Sequence, residues 1–205
     1  MSLHTFFPTR VYTAPLQSQG AVPFNNKLLN EINYLMADDR AGKRWSEANY
    51  PGGYTSYASA SRMHQYSPTF AALEVKLARH IKAYAKALAF DLKARPLTMT
   101  DCWVNVMPKG VVHSLHLHPL STISGTYYVK TPPRASGLKL EDPRLDRFMA
   151  APPRAADQQA DQAPWVVMPA KAGHLILFES WLRHEVTANA ASTDRVSISF
   201  NYSWF

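Results

Sequence analysis

Four side chains have the types and spacing to do chemistry. His116 and His118 stand one residue apart, His184 follows 66 residues after His118, and Arg195 comes eleven residues later. On an extended segment, alternation puts His116 and His118 on one face and Leu117 on the other. Two residues of strand rise about 6.6 Å, which lets two long imidazoles converge on a single ion. A third ligand from a distant strand, His184, closes a facial set and leaves positions open for substrate and oxygen. Open facial sets of this kind, commonly two histidines and one carboxylate, hold non-haem iron. The planar fork of Arg195 suits bidentate grip of a carboxylate. Ser197, two residues on, points the same way and adds a hydroxyl. The expected site is therefore a mononuclear metal centre of His116, His118 and His184 beside an anion clamp. His4, His64, His80, His113 and His174 read as structural.

The elements that must position these groups are legible around them. In RVSISFNYSW, Val196, Ile198, Phe200, Tyr202 and Trp204 share one face, and Arg195, Ser197, Ser199, Asn201 and Ser203 share the other. That is a strand whose polar side lines a cavity. From about residue 98 onward the whole chain alternates with a period of two, in TDCWVNVM, HLHPLS, TISGTYYV, LKLE, WVVMP, GHLILF and HEVTA. Short strands with Pro and Gly punctuation indicate an antiparallel sandwich or barrel. A proline- and alanine-rich interruption lies within 133–164, and APPRAADQQADQAP in it reads as a mobile insertion. Asn105 and Tyr127 are candidate polar partners facing the cavity. Trp103 and Trp181 read as core, and Glu179 and Glu185 as surface.

The first half is different. FFPTRVYTAPL reads as a short strand. Leu28, Leu29, Ile32 and Leu35 recur at helical spacing and predict a helix over roughly 25–38. Residues 40–66, rich in Gly, Ser, Tyr and Asn, read as a long loop carrying Trp45, Tyr50, Tyr54 and Tyr57. A second helix is expected over about 68–90. Ser67 caps it, Pro68 suits its first position, and Phe70, Leu73, Leu77, Ile81, Tyr84 and Leu88 form its apolar stripe.

Composition narrows the function classes. With 205 residues, one domain is expected. Hydrophobic residues make up 46% and charged residues only 18%, which supports a folded core rather than disorder. The net charge of +7 is spread out, with its densest group at Lys76, Arg79, Lys82, Lys86, Lys93 and Arg95 on the second helix and beyond it. No interleaved aromatic patch or module argues for nucleic acid. The one cysteine, Cys102, excludes an intramolecular disulfide and a Cys-rich zinc site. No apolar run approaches a membrane span, no signal peptide is evident, and the cytoplasm is the expected compartment. The expected partner is a small-molecule or peptide substrate. A homodimer stays open.

Several of these motifs, in this order, resemble the 2-oxoglutarate- and Fe(II)-dependent oxygenases, specifically the prokaryotic and phage set. WVNVMPKG, HLHPLSTISGTYYV, LEDPR, GHLILFESWLRHEV and RVSISFN carry the resemblance over roughly 98–205. FFPTRVY and the Trp45–Tyr57 segment carry it more loosely. It implies a mainly β, double-stranded β-helix (jelly-roll) fold with N-terminal helices packed on it: 1–97 as strand and supporting helices, 98–205 as the core. By position, His116 and His184 match the iron-binding histidines. Arg195 matches the residue that pairs with the distal carboxylate of 2-oxoglutarate, helped by Ser197, with Asn105 and Tyr127 as further polar partners. The implied cofactors are Fe(II) and 2-oxoglutarate as cosubstrate. The implied reaction couples oxidative decarboxylation of 2-oxoglutarate to hydroxylation of a substrate. Position 118 departs from the pattern, because His stands where the wider superfamily has Asp or Glu. Two alternatives follow from it: a three-histidine cupin-type dioxygenase that does not use 2-oxoglutarate, and a metal-binding jelly roll without turnover. His118 also reads as a group that supports the ligands from outside the metal's own shell.

Overall fold

The computed structural model describes residues 1–205. Ten strands form two antiparallel sheets. In chain order the elements are β1 (Val11–Pro15), α1 (Ala21–Asp38), α2 (Arg40–Asn49), β2 (Tyr54–Thr55), α3 (Met63–Tyr66), α4 (Pro68–Ala87), β3 (Thr98–Met107), β4 (His113–His116), β5 (Ile123–Lys130), β6 (Leu138–Glu141), β7 (Trp165–Met168), β8 (His174–Glu179), β9 (His184–Val186) and β10 (Arg195–Ser203). The larger sheet runs β1-β8-β5-β10-β3-β2 and the smaller β4-β9-β6-β7. Strands adjacent in sequence often lie in opposite sheets. This two-sheet wrap is the double-stranded β-helix that the family resemblance implies, and its antiparallel strands are those that the period-two run from residue 98 predicts.

The two faces of the larger sheet do different work. Val104, Val106, Tyr127, Leu177, Val196, Ile198 and Phe200 point outward and share one core with Leu28 and Ile32 of α1 and Phe70, Leu73 and Leu77 of α4. Helices and sheet are thereby held as one body by apolar burial. Packing on this face is close at Gly125, where a Cβ would come within 2.5 Å of Phe200 Cε2 and 2.6 Å of Leu177 Cδ2. The other face carries Met107, Tyr128, Ile176 and Phe178 against Leu138, Leu140 and Val186 of the smaller sheet. This inner core is smaller, and polar groups take up the rest of the interior.

α4 begins where the sequence requires: Ser67 Oγ accepts from Thr69 N (3.1 Å) and Phe70 N (3.2 Å), with Pro68 as first residue. It ends at Ala87 rather than near 90, because Ala89 takes φ 57° and Phe90 N–H closes the turn on Ala85 O. α1 starts four residues earlier than the apolar spacing predicts, at Ala21.

The reading of 40–66 as a loop is corrected. Ten of those residues form α2. Its sequence, RAGKRWSEAN, has no apolar stripe; the residues it buries are Gly42 and Ser46. What fixes it is Asp39, which accepts from Gly42 N at 2.8 Å and also from the hydroxyls of Tyr54 (2.8 Å) and Ser59 (2.5 Å). A carboxylate cap that also ties down the following chain substitutes for hydrophobic periodicity.

Candidate active site

The inner face of β10 is fixed by its two neighbours. Arg195 pairs with Met107, Ser197 with Asn105 and Ser199 with Trp103 on β3; Ser197 pairs with Tyr128 and Ser199 with Thr126 on β5. Directly opposed residues share a face. Asn105, Thr126 and Tyr128 therefore line the interior with Arg195 and Ser197. Opposite them, β4 and β9 place His116 directly across from His184. His118 lies just past β4, held by its N–H donating to Ser180 O at 3.0 Å.

The three predicted histidines meet. One ring nitrogen from each of His116, His118 and His184 falls in a cluster within 4.8 Å. Nε2 of His118 and His184 are 3.2 Å apart. Two cis ligands at about 2.1 Å from one ion would stand about 3 Å apart, so this edge suits a metal. Nδ1 of His116 donates to Ser114 O (2.7 Å) and Nδ1 of His184 to Leu182 O (2.8 Å). Those bonds fix the tautomer, so each Nε2 lone pair is free for a cation. Burial favours the neutral rings: His184 is pushed down to about 4, His118 to about 2, and His116 is also lowered. The donor set is three neutral imidazoles, with no carboxylate in the cluster.

Arg195 sits on the far wall of the same cavity and is only 2% exposed. Its Nε donates to Ser136 O (2.9 Å), and its Nη1 meets Ser197 Oγ and Met107 Sδ, both at 3.2 Å. The guanidinium lies 5.0 Å over the Tyr128 ring. It takes part in none of the five ion pairs of the chain. A buried cation without a counter-ion is costly, and an anion in this cavity would offset that cost. Two polar atoms beside it are also unpaired: Tyr128 Oη and Asn105 Oδ1. The cavity between the clamp and the histidines is narrow, about 30 Å³, room for roughly two waters.

Tyr127 is corrected. Its hydroxyl bonds Asn25 Oδ1 and its ring belongs to the outer core. The tyrosine on the inner face is Tyr128, whose ring lies under the Arg195 guanidinium, because β5 meets β10 in the register Tyr128–Ser197, with a bulge beside it. A one-residue choice of register decides which tyrosine faces in, and composition does not reveal it. Asn105 lines the cavity and donates from Nδ2 to Ser199 Oγ at 3.0 Å.

His113 differs from the expectation for a purely structural residue. Its ring stacks on His116 at 4.5 Å and 16°, and it lines the cavity. The bulge between His113 and His116 turns it inward despite the odd spacing. Trp103, 3% exposed, is core as expected, but its ring also borders the site, 5.7 Å from His118. Trp181 is 45% exposed and lies outside the core. Glu185 pairs with Lys139 at 2.7 Å, away from the cluster.

A family model described as "Putative 2OG-Fe(II) oxygenase" matches residues 101–201, the segment that carries all four predicted groups. That core matches the 2OG-Fe(II) oxygenase family. No curated protein matches it by sequence. Solved structures show the same fold. The epimerase SnoN in complex with Fe3+, alpha ketoglutarate and nogalamycin RO superposes with a TM-score of 0.62 at 17% identity, covering 96% of this chain and 79% of SnoN. HygX from Streptomyces hygroscopicus, with nickel and 2-oxoglutarate bound, gives 0.63 at 14% identity, covering 96% and 83%. A Pseudomonas putida prolyl-4-hydroxylase gives 0.54 at 16% identity, covering 96% and 94%. No helix of the chain is long and apolar enough to cross a membrane.

Proposed function

We propose that residues 1–205 act as one unit, a dioxygenase that binds Fe(II) through His116, His118 and His184 and takes 2-oxoglutarate as cosubstrate. The observation that carries this reading is Arg195, a buried guanidinium with no protein carboxylate, facing three metal-ready imidazoles across one cavity. A dicarboxylate that spans the two satisfies both. Its distal carboxylate accepts from Arg195, with Ser197 beside it. Asn105 holds Ser199 in place and leaves Oδ1 facing inward.

The iron supplies oxygen activation coupled to decarboxylation of 2-oxoglutarate. The protein's part is to orient and to exclude water. Ser114 and Leu182 carbonyls aim two of the imidazoles. Three neutral ligands would leave a dication uncompensated; the proximal carboxylate of 2-oxoglutarate would offset one of its charges, while the distal carboxylate offsets Arg195. The narrow cavity must widen to admit this five-carbon diacid. Met107, a flexible side chain touching Arg195, is the group able to swing aside. The substrate is a small molecule or a peptide, and the buried free thiol of Cys102 suits a reducing cytoplasm.

A second reading, a three-histidine dioxygenase without 2-oxoglutarate, is favoured by the absence of a carboxylate from the cluster and by the small cavity. Succinate release separates the two. Under air, the Fe(II)-loaded protein is expected to convert 2-oxoglutarate slowly to succinate even without substrate, and Arg195→Met to suppress it. No succinate from an iron-loaded protein would favour the second reading.

A further inference from the structure

A second cavity of about 180 Å³ opens beside the histidines. It shares Trp103, His113 and His116 with the metal-side cavity, so the two are contiguous. Its walls are aromatic. Trp45 and Tyr57 lie 6.1 Å apart at 55°, and Tyr57 and Trp103 5.2 Å apart at 68°. Tyr50 packs at 5.2 Å from His113 on the other side. No Asp, Glu, Lys or Arg lines it. An apolar cavity of about 150 Å³ is enough for benzene, so this one takes a single six-membered ring with a small substituent.

Its polar groups are few and specific. Asn49 uses its amide N–H on Trp45 O and keeps its carbonyl oxygen free. Thr55 and the rings of His113 and His116 complete the polar lining. Tyr50 contributes its ring; its hydroxyl is fully buried, with Arg195 as the charge that acts on it, and does not border this cavity. A sugar ring would meet more aromatic wall than hydrogen-bonding partners, and a charged ring would find no counter-charge.

We propose that this cavity is the substrate subsite, and that it takes an uncharged planar ring with a small substituent. The ring packs on the cavity side of Trp45, Tyr57 and Trp103, and the edge nearest His116 faces the metal side. That last clause rests on the metal assignment above, whereas the binding claim does not. The more exposed ring of Tyr57, at 49%, marks the mouth through which the rest of a larger substrate extends.

The test uses metal-free full-length protein, so it reads the subsite separately from any failure of the iron assignment. Phenol, toluene, benzenesulfonate, benzylammonium and methyl glucoside are titrated by calorimetry and tryptophan fluorescence. Phenol is expected to bind at least about fivefold more tightly than either charged ring and than the glucoside, with tryptophan fluorescence changing in parallel. Trp45→Ala and Tyr57→Ala, each checked for folding by circular dichroism, should each weaken phenol about fivefold. Equal binding of charged and uncharged rings, tightest binding of benzylammonium or the glucoside, or phenol binding indifferent to both wall variants would overturn the assignment of ring class.

Discussion

Replacing Arg195 by Met separates binding from folding. In the protein without ligand, Arg195 is a buried charge with no ion-pair partner, and its firm protein bond is Nε to Ser136 O at 2.9 Å. Exchanging a buried ion for an apolar group is often neutral or stabilising, while losing that hydrogen bond costs about 1 kcal/mol. The two effects oppose, so Arg195→Met should unfold within a degree or two of wild type. The cosubstrate tells a different story. Two charge-assisted hydrogen bonds to a carboxylate contribute about 1.5 kcal/mol each, together about a hundredfold in affinity. At a 2-oxoglutarate concentration of about 100 times the wild-type Kd, linkage stabilises wild type by about 2.7 kcal/mol but the variant by only about 0.4 kcal/mol. For a chain of this size that becomes a melting shift of roughly 5–10 °C in wild type and about 1–2 °C in the variant. The assay is a thermal melt of anaerobic, Fe(II)-loaded protein with and without 2-oxoglutarate. An equal ligand-induced shift in both proteins would refute the clamp, and a variant already unfolded without ligand would refute the ledger for the empty site.

Three further outcomes are expected. His184→Ala should purify with far less iron by elemental analysis, whereas unchanged iron content would remove His184 from the ligand set. Gly125→Ala should lower stability by about 1–3 kcal/mol in urea titrations, because its Cβ would press on Phe200 and Leu177; an unaltered midpoint would mean that the outer core yields freely. His64 and His80 are both held below the ordinary histidine value, chiefly by burial. The unfolded chain therefore takes up protons first as pH falls below about 6.5, and stability is lost from there downward. His80→Asn should flatten the fall in urea midpoint between pH 7.5 and 5.5, and an identical slope would contradict the sign of that shift.

Much of this molecule can be read without coordinates, and the reasons are physical. Strands β3 to β10 announce themselves because a half-buried strand must alternate. α4 does so because Ser67, Pro68 and a 3.6-residue stripe agree. His116, His118, His184 and Arg195 are visible because metal and anion sites require rare side chains at restricted spacings. What stays hidden depends on partners that sequence does not pair. α2 is held by the carboxylate of Asp39 rather than by a stripe of its own. Tyr128 rather than Tyr127 faces inward, against Arg195, because of register. His113 turns inward because of a bulge. The aromatic cavity joins Trp45 and Tyr57 from the N-terminal half to Trp103 on β3, a long-range meeting with no local signature.

The central claim is that three neutral histidines hold iron while Arg195 holds the far end of 2-oxoglutarate. Anaerobic addition of Fe(II) and then 2-oxoglutarate tests it directly through visible absorbance. A charge-transfer band that forms in wild type, saturates with 2-oxoglutarate, and in Arg195→Met requires about a hundredfold more of it is the predicted result. Iron bound without any such band at saturating 2-oxoglutarate would contradict the account.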